Sequence, residues 1–218
     1  MKKVQDSYFH RAKQAGFAAR SVYKLEEIDR KKRLIKTGQR ILDLGCAPGS
    51  WLQYAAQRVG PKGTVLGVDL QAVEVALPAG AKALQADVFA LDAKTLREAA
   101  GLEGRDGGPL GGFDLVLSDM APKTTGIPSA DAARSADLAL QALALAQQAL
   151  KPGGDLLVKV FQGARLQEVR KAFASAFDQV TLEKPAASRS ESVEIFVLGR
   201  GMHAAPASRI SSPQPASR

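Results

Sequence analysis

The sequence predicts an α/β fold in which helices cover both faces of a mostly parallel sheet. Three observations support this prediction: short apolar runs alternate with amphipathic helical patterns, a turn of small residues joins the first run to a helix, and 45% of the 218 residues are hydrophobic. Alternating strands and helices are typical of parallel sheets, which are buried on both faces. A chain of this length and composition buries one sizeable core, so we expect one domain with appendages.

Seven apolar runs bounded by turn residues predict the strands. They cover residues 40–44, 64–69, 81–86, 114–118, 155–160, 179–183 and 193–199. The helical patterns between them cover residues 51–59, 92–99, 130–150 and 166–176. The run Lys151-Pro152-Gly153-Gly154 ends the longest helix and turns into the next strand. Six glycines and a proline predict a flexible surface loop over 101–112.

Ahead of a domain over 37–202, residues 1–36 predict a basic helical extension. Its two expected helices cover 4–15 and 20–33, and the second carries apolar residues at spacings of three that can dock on the domain. These apolar residues are Val22, Leu25 and Ile28. The tail over 203–218 is rich in Ala, Ser and Pro and has little to bury, so we expect it to be disordered.

Positive charge is concentrated in the extension. Residues 1–40 hold 12 Lys and Arg against 4 Asp and Glu, a net charge of +8 that equals the net charge of the whole chain. A basic arm on a neutral body is typical of a protein with a polyanionic partner. The alternative is a solvated helical face that only aids solubility, and charge alone leaves both interpretations open.

Composition disfavours several classes of protein. With one cysteine the chain forms no internal disulfide, and Cys46 with His10 and His203 makes a poor metal site, so we expect Cys46 to be a packed small residue and no metal. No signal peptide is recognisable, and no window approaches 18 uninterrupted apolar residues. We therefore expect a cytoplasmic protein without membrane contact, and a monomer because no exposed apolar stripe is evident.

Residues 43–51 are the most informative stretch, a strand end followed by a tight small-residue turn and a helix start. Gly45 and Gly49 leave room for a ligand beside the backbone, and the helix start offers free N–H groups. Open α/β sheets bind nucleotide-like ligands at such turns. The stretch lacks both the G-x-G-x-x-G fingerprint of dinucleotide sites and the lysine of a P-loop. A small zwitterionic or cationic cofactor therefore fits better than a pyrophosphate.

Two further acids extend this turn to a nucleoside site. Asp69 ends the second strand, 24 residues after Gly45, where a carboxylate accepts hydrogen bonds from both ribose hydroxyls. Asp87 ends the third strand, where it can reach an adenine amino group. Each acid could instead cap a helix, but together with the turn they describe an adenosine site. Asp43 could hold the turn or face the amino-acid end of the cofactor.

Charged residues inside apolar strands predict a second polar site. Lys159 and Glu194 each interrupt an apolar strand, and Asp119 directly follows another. A lysine in such a strand is costly unless it faces a cleft and finds a partner, and the alternative is an edge lysine whose head reaches solvent. Three such residues together indicate one shared site, in which Lys159 can act as a base.

Five motifs occur in a fixed order along the chain. They are Tyr-Lys-Leu-Glu-Glu-Ile at 23–28, the turn at 43–49, Ser-Asp-Met-Ala-Pro at 118–122, Val-Lys-Val-Phe-Gln-Gly at 158–163, and Ser-Arg at 188–189 shortly before Glu194. In this order, over about residues 6–200, the chain resembles the FtsJ/RrmJ family of RNA ribose 2′-O-methyltransferases. The resemblance implies a Rossmann-like fold dependent on S-adenosylmethionine, with a doubly wound seven-stranded sheet whose last strand is antiparallel. It also implies a uridine ribose in 23S rRNA of the large ribosomal subunit as substrate.

Carried onto this sequence, the resemblance implies a catalytic tetrad of Lys24, Asp119, Lys159 and Glu194. Lys159 would remove the 2′-hydroxyl proton, Asp119 would orient it near the transferred methyl group, and the other two would position the ribose. With Gly45 from the turn, the expected cofactor residues are Gly45, Gly49, Trp51, Asp69, Asp87 and Asp119. In the basic arm, the expected RNA contacts are Lys13, Arg20, Lys31 and Lys32. They would bind phosphates, and phosphate contacts position the RNA without reading its sequence.

Three departures from the family pattern lie where RNA would be held. Ala18 replaces an arginine, Lys123 replaces an asparagine, and Glu191 occupies an often basic position. The same chemistry on tRNA or an mRNA cap therefore stays an alternative. A catalytically silent RNA-binding or ribosome-assembly factor is the alternative from another class, which an intact tetrad disfavours. A dinucleotide oxidoreductase is disfavoured by the missing G-x-G-x-x-G.

Overall fold

The computed structural model describes residues 7–102, 111–188 and 192–204. The strands in these ranges are β1 (Arg40–Leu44), β2 (Thr64–Asp69), β3 (Ala81–Gln85), β4 (Phe113–Ser118), β5 (Leu150–Phe161), β6 (Phe177–Glu183) and β7 (Glu194–Met202). The helices are α1 (Ser7–Gln14), α2 (Val22–Lys32), α3 (Ser50–Val59), α4 (Ala93–Ala99), α5 (Pro128–Ala149) and α6 (Leu166–Ala174). The described strands and helices fall where the sequence predicts them, with the boundary differences given below.

The strands form one sheet in the order β3-β2-β1-β4-β5-β7-β6. Neighbours pair in parallel except at β7, which is antiparallel to both β5 and β6. The predicted fold class, a doubly wound and mostly parallel sheet with an antiparallel last strand, is confirmed. Strand order reverses between β1 and β4, and in such sheets ligands bind in the crevice beyond the carboxyl ends of the strands at that point.

Most element boundaries differ from the prediction by one to three residues, and the starts of β5 and α5 have a clear physical cause. β5 begins at Leu150, directly after α5, because Leu150 already pairs with β4 before Asp155 resumes the ladder. Residues 151–154 bulge within the strand, so the expectation of a separate turn there was wrong. α5 begins two residues early, since Pro128 at the first helical turn supplies a helical φ and needs no hydrogen-bond donor.

Parts of three predicted segments lie outside the described residues. These are 1–6 of the extension, 103–110 of the glycine-rich loop and 205–218 of the tail. Within the ranges that the structure covers, no helix has the length and apolar character needed to cross a bilayer.

Apolar side chains fill the space on both faces of the sheet. One face packs against α4, α5 and α6, with Leu96 and Phe173 fully buried there. The other face packs against α2 and α3, with Leu25 buried there. Because side chains alternate along a strand, Leu157 of β5 faces α2 and α3, and Lys159 shares that face. The sheet therefore directs Lys159 toward the helical extension.

Asp29 fixes the end of α2 against α3. Its carboxylate is 1% exposed and accepts a hydrogen bond from the Ile35 amide at 2.7 Å. From α3, the Tyr54 hydroxyl at 2.8 Å and Arg58 Nε at 3.0 Å donate to the same carboxylate. This buried carboxylate therefore joins α2, α3 and the segment that leads into β1.

The segment ahead of α2 is anchored to the start of α3. Trp51 Nε1 donates to the Ser21 carbonyl at 2.9 Å, and the hydroxyls of Ser21 and Ser50 lie 3.0 Å apart. The side-chain carbonyl of Gln53 accepts from the Ala18 amide at 3.0 Å. Because α3 starts at the glycine turn, the extension is mounted on the helix that begins the expected cofactor site.

Substitution Asp29→Ala is expected to lower the free energy of unfolding by about 3 kcal/mol, because it leaves buried donors without an acceptor. Urea unfolding followed by circular dichroism measures this change. Asp178→Ala is the control, since the Asp178 side chain is 74% exposed and should change stability by less than about 0.5 kcal/mol. Equal effects of the two substitutions would contradict a joining role for Asp29.

Candidate active site

The pleat and register of three strands bring three charged side chains to one place. Leu117 of β4 pairs with Leu157 of β5, so Asp119 just beyond β4 comes level with Lys159. Glu194 begins β7 opposite Phe161, two residues from Lys159 along β5, and the two therefore share a face. The predicted shared polar site is present in the fold.

Lys159 lies at the centre of a chain of opposite charges. Its Nζ is 2.9 Å from Asp119 Oδ1 and 3.8 Å from Glu194 Oε1, and it donates to the Asp119 carbonyl at 2.7 Å. Lys24 Nζ donates to Glu194 Oε2 at 2.5 Å. Lys159 is 5% exposed and Lys24 is 9% exposed. An edge lysine reaching into solvent is therefore excluded, and two cations balance two anions.

Glu194 is held in its charged form. Burial raises the pKa of its carboxyl group, but the hydrogen bond and positive charge of Lys24, the charge of Lys159 and the Ser192 hydroxyl outweigh burial, so the pKa lies below its ordinary value. Ser192 Oγ donates to Glu194 Oε2 at 3.0 Å and accepts from the Glu194 amide at 3.2 Å. The sequence analysis did not identify Ser192. A serine two residues before an acid at the start of a strand could have indicated that its hydroxyl binds that acid.

A cavity of about 550 Å³ opens beside the tetrad. Lys24 and Glu194 form part of its wall, and Arg20, one of the predicted RNA contacts, lies beside them. The wall also includes Thr124, Gly126, Pro128, Asp131, Ala132, Phe161, Gln162, Ser192 and Val193. The cavity is large enough for a nucleotide and gives a ligand access to the charged cluster.

Packing and backbone conformation explain why Gly45 and Gly49 are glycines. Both have positive φ, of 78° and 113°. A Cβ would lie 2.7 Å from Met120 at Gly45 and 2.8 Å from Val75 at Gly49. Side chains of this protein occupy the space that a Cβ would need at each position, and the predicted approach of a ligand to the backbone there stays a prediction.

The side chain of Trp51, a predicted cofactor residue, is buried in the protein. Its indole is 2% exposed, stacks on Phe196 with ring centres 5.8 Å apart, and donates to the Ser21 carbonyl. The side chain is thus used to fix the extension to the sheet. Only the backbone of Trp51, in the first turn of α3, remains near the turn.

The three acids near the turn differ in their surroundings. Asp69 holds the turn, since Oδ2 accepts from the Ala47 amide at 2.9 Å and Oδ1 from the Gln71 amide at 2.9 Å. Asp87 is exposed and accepts from the Phe89 amide at 2.9 Å. Asp43 is fully buried, and among the described residues neither of its carboxylate oxygens has a hydrogen-bond partner.

The buried carboxyl group of Asp43 has a strongly perturbed pKa. Burial raises this pKa well above its ordinary value, and the negative charges of Asp119 and Asp69 raise it further. Of the two roles considered for Asp43, holding the turn does not match the structure, because Asp69 does so. Cys46 packs beneath the turn against Gly67, as expected for a small buried residue.

Two exposed apolar side chains beside these acids were missed by sequence reasoning. Leu70 directly follows Asp69 and is 65% exposed, and Phe89 follows Asp87 by two residues and is 58% exposed. Both lie at the carboxyl edge of the sheet. The sequence pattern that could have identified them is a large apolar residue one or two positions after a strand-end aspartate. At that edge of the sheet such a side chain can contact a planar ring.

The predicted RNA contacts fall into two groups. Lys13 is exposed and Arg20 borders the cavity. Lys31 and Lys32 both pair with Glu183, which is 4% exposed, at 2.9 Å and 2.6 Å. Burial raises the pKa of Glu183, and hydrogen bonds from Lys32, Lys31 and Thr181 outweigh burial and lower it. Lys32, whose side chain is only 23% exposed, therefore compensates a buried carboxylate, and its contact with RNA stays a prediction.

Of the three departures from the family pattern, Ala18 and Lys123 are described. Ala18 lies in the anchored segment ahead of α2, and Lys123 is exposed near the cavity. Glu191, and Arg189 of the last motif, lie outside the described residues. Across ranges 7–102, 111–188 and 192–204, no three His, Cys, Asp or Glu side chains cluster as metal ligands would.

Comparison with known proteins agrees with the geometry. Residues 17–202 match the family of FtsJ-like methyltransferases. The chain belongs to this family. It is 49% identical over 196 residues to the ribosomal RNA large subunit methyltransferase E of Syntrophobacter fumaroxidans, across 90% of this chain and 95% of that protein. The enzyme class predicted from the sequence, an RNA methyltransferase, is confirmed.

Two solved structures share the fold of this FtsJ-like methyltransferase. A ribosomal RNA methyltransferase from Plasmodium falciparum superposes with a TM-score of 0.72 at 24% identity, over 85% of this chain and 98% of that chain. A fibrillarin from Aeropyrum pernix, in complex with S-adenosylmethionine, gives a TM-score of 0.52 at 16% identity, over 82% of this chain and 76% of that chain. The predicted cofactor is thus one that a protein of this fold binds.

The ion pairs of Glu194 predict a pH-dependent contribution to stability. Glu194→Gln is expected to lower Tm by about 5 °C at pH 7. Since the folded-state pKa lies below the ordinary value of 4.5, the difference from wild type is full above pH 4.5 and shrinks as pH falls through the lowered pKa. Thermal unfolding of both proteins between pH 3 and 7 measures it. A difference that grows toward pH 3 would contradict the ion-pair assignment, and Glu98→Gln, in an exposed helical pair, is the control.

Proposed function

We propose that this methyltransferase transfers a methyl group from S-adenosylmethionine to the ribose 2′-hydroxyl of a uridine in 23S rRNA. The observation that carries the proposal is the charged cluster of Lys24, Asp119, Lys159 and Glu194, of which Lys24 and Glu194 lie in the wall of an open cavity. A hydroxyl group loses its proton when it is methylated, and a positioned lysine can accept that proton. The family match and the ribosomal RNA methyltransferases among its relatives support RNA as the substrate.

The residues around the turn fit S-adenosylmethionine. Asp43 offers a buried carboxyl group without a hydrogen-bond partner in the described residues, and the positive charges of this cofactor would stabilise its ionised form. Asp69 keeps free lone pairs for ribose hydroxyls, because each carboxylate oxygen can accept more than one hydrogen bond. Asp87 would bind the adenine amino group, and Leu70 and Phe89 offer exposed apolar surface to its ring.

The four residues of the tetrad have different roles in the proposed reaction. After releasing one ammonium proton to solvent, Lys159 takes up the proton of the ribose hydroxyl at its neutral Nζ, and Asp119 fixes that nitrogen through its carbonyl and carboxylate oxygens. Lys24 holds Glu194 ionised beside Lys159 and, with Glu194, borders the cavity in which the ribose would lie. When bound, S-adenosylmethionine supplies a methyl group whose transfer leaves the electron pair on sulfur and neutralises its charge. Positioning supplies much of the acceleration.

Contacts to the RNA backbone come from the basic extension in this proposal. Arg20 borders the cavity and Lys13 is exposed on α1, so both are suited to phosphates. Such contacts carry little sequence information, and we propose that RNA shape in the large subunit supplies specificity. The proposal places the reaction in the cytoplasm, with one chain as the active unit.

Loss of the proton acceptor is expected to abolish most methyl transfer. Lys159→Ala and Lys159→Arg should each lower kcat by about 10²- to 10⁴-fold, because arginine keeps the charge but cannot accept a proton. Transfer of radiolabelled methyl groups to large subunits, free 23S rRNA and tRNA measures this. The label should map to alkali-resistant ribose in rRNA.

Lys62→Ala serves as the control for these lysine substitutions. Lys62 is exposed just before β2, at the sheet edge opposite the cavity, and its loss should leave the rate unchanged. Wild-type protein that binds S-adenosylmethionine but labels no ribose would contradict the proposed reaction. Label that persists in Lys159→Arg would contradict the role of Lys159 as proton acceptor.

The buried Asp43 predicts opposite effects on stability and cofactor binding. Asp43→Asn should leave the Tm of the free protein equal to or above that of wild type, because it removes a carboxyl group whose ionisation is opposed by burial and by Asp119 and Asp69. The Tm increase that S-adenosylmethionine produces should shrink, since the compensating charge is lost. Thermal shift with and without the cofactor measures both. A lower Tm with an unchanged cofactor shift would contradict this assignment.

A further inference from the structure

The loop over 121–127 forms one side of the cavity without regular secondary structure. It joins Asp119, at the end of β4, to Pro128, the first residue of α5. All of its residues from 123 to 127 are exposed, and Thr124 and Gly126 line the cavity. An exposed segment of this kind has no apolar core of its own to keep it in place.

Asp131, in the first turn of α5, holds this loop. Its Oδ1 accepts from the Thr125 amide at 2.8 Å and from the Thr125 hydroxyl at 2.8 Å, and its Oδ2 accepts from the Gly126 amide at 3.3 Å. Asp131 is 6% exposed and itself lines the cavity. The Thr125 amide hydrogen bond is the main cause of a lowered pKa of the Asp131 carboxyl group. A buried acceptor therefore fixes a loop whose residues from 123 to 127 are exposed.

The fixed loop presents groups suited to a nucleic acid. Lys123 is exposed, and within the described part of the chain it forms no ion pair or hydrogen bond. Ile127 is 59% exposed, although large apolar side chains favour burial. On the other side of the cavity, Val193 is 52% exposed and Arg20 borders the same space. Basic and apolar groups thus occur on both sides of the opening.

We propose that the loop over 121–127 is a preformed contact for the RNA strand that flanks the target nucleotide. Lys123 binds a phosphate, Ile127 packs against a base, and Asp131 is the positioning residue for both. This inference rests on the proposed function, since it assigns a second RNA contact to the same site. The loop would act opposite Arg20, so that the strand is held from both sides of the cavity.

Asp119 is held in place by contacts that do not involve the loop. The Asp119 amide donates to the Leu44 carbonyl at 3.2 Å, and Lys159 holds its carbonyl and carboxylate oxygens. Loosening the loop therefore leaves the proton acceptor in place and weakens only the binding of RNA. A loss of uniform binding raises KM and leaves kcat unchanged.

Steady-state methylation of the best ribosomal substrate, with saturating S-adenosylmethionine, tests this inference with the full-length protein. Lys123→Ala should raise KM for RNA about threefold and reduce the slope of log affinity against log salt by about one, as for one lost phosphate contact. Asp131→Asn should raise KM at least as much, with kcat unchanged. Lys62→Ala and Asp178→Asn, whose side chains lie at the opposite edge of the sheet, should leave both constants unchanged.

The outcomes separate this inference from the proposed function. Wild-type methylation of ribose with unchanged KM and salt slope in Lys123→Ala would overturn the loop contact and leave the proposed function intact. A fall in kcat for Asp131→Asn at unchanged KM would overturn its role in RNA positioning. Lys123→Ala keeps the test decisive if Asp131→Asn unfolds, because an exposed lysine contributes little to stability.

Discussion

A buried lysine in the middle of the sheet is the constraint on which the active site depends. Lys159 lies on β5 between β4 and β7, where an uncompensated charge would cost several kcal/mol. Asp119 and Glu194 compensate it, but two carboxylates leave one excess negative charge, which Lys24 of α2 balances. The helical extension is therefore an electrostatic part of the sheet, and the contacts of Asp29 and Trp51 that fix the extension serve this balance.

The active site also contains a group that lowers the stability of the folded protein. Asp43 is fully buried and has no hydrogen-bond partner among the described residues, although most buried polar groups are paired. Violations of this kind concentrate at functional sites, where a ligand supplies the missing partner. The glycine turn, by contrast, is well packed by Met120 and Val75, so a rigid turn directly follows a carboxyl group that has no hydrogen-bond partner in the described residues.

Much of this arrangement could be predicted from the sequence, because alternation along strands is local information. Lys159, Glu194 and Asp119 interrupt or end apolar runs, and the sheet register brings them together as expected. The contacts that the sequence did not predict are those that depend on a second element. Trp51 begins a helix near the ligand turn but packs on Phe196, and Lys32 belongs to a basic run but meets the buried Glu183 of β6. The spacing of residues along a helix does not show which element the helix packs against, so these contacts became visible only in the structure.

The position of β7 in the sheet gives the order in which a newly made chain can become active. β7 is synthesised after β6 but lies between β5 and β6, so β6 has no strand partner until β7 inserts. Glu194, the first residue of β7, then meets Lys24, which left the ribosome 170 residues earlier. A nascent chain that still lacks β7 cannot complete the cluster. Incomplete products of translation that lack β7 therefore leave Lys24 and Lys159 without the carboxylate of Glu194.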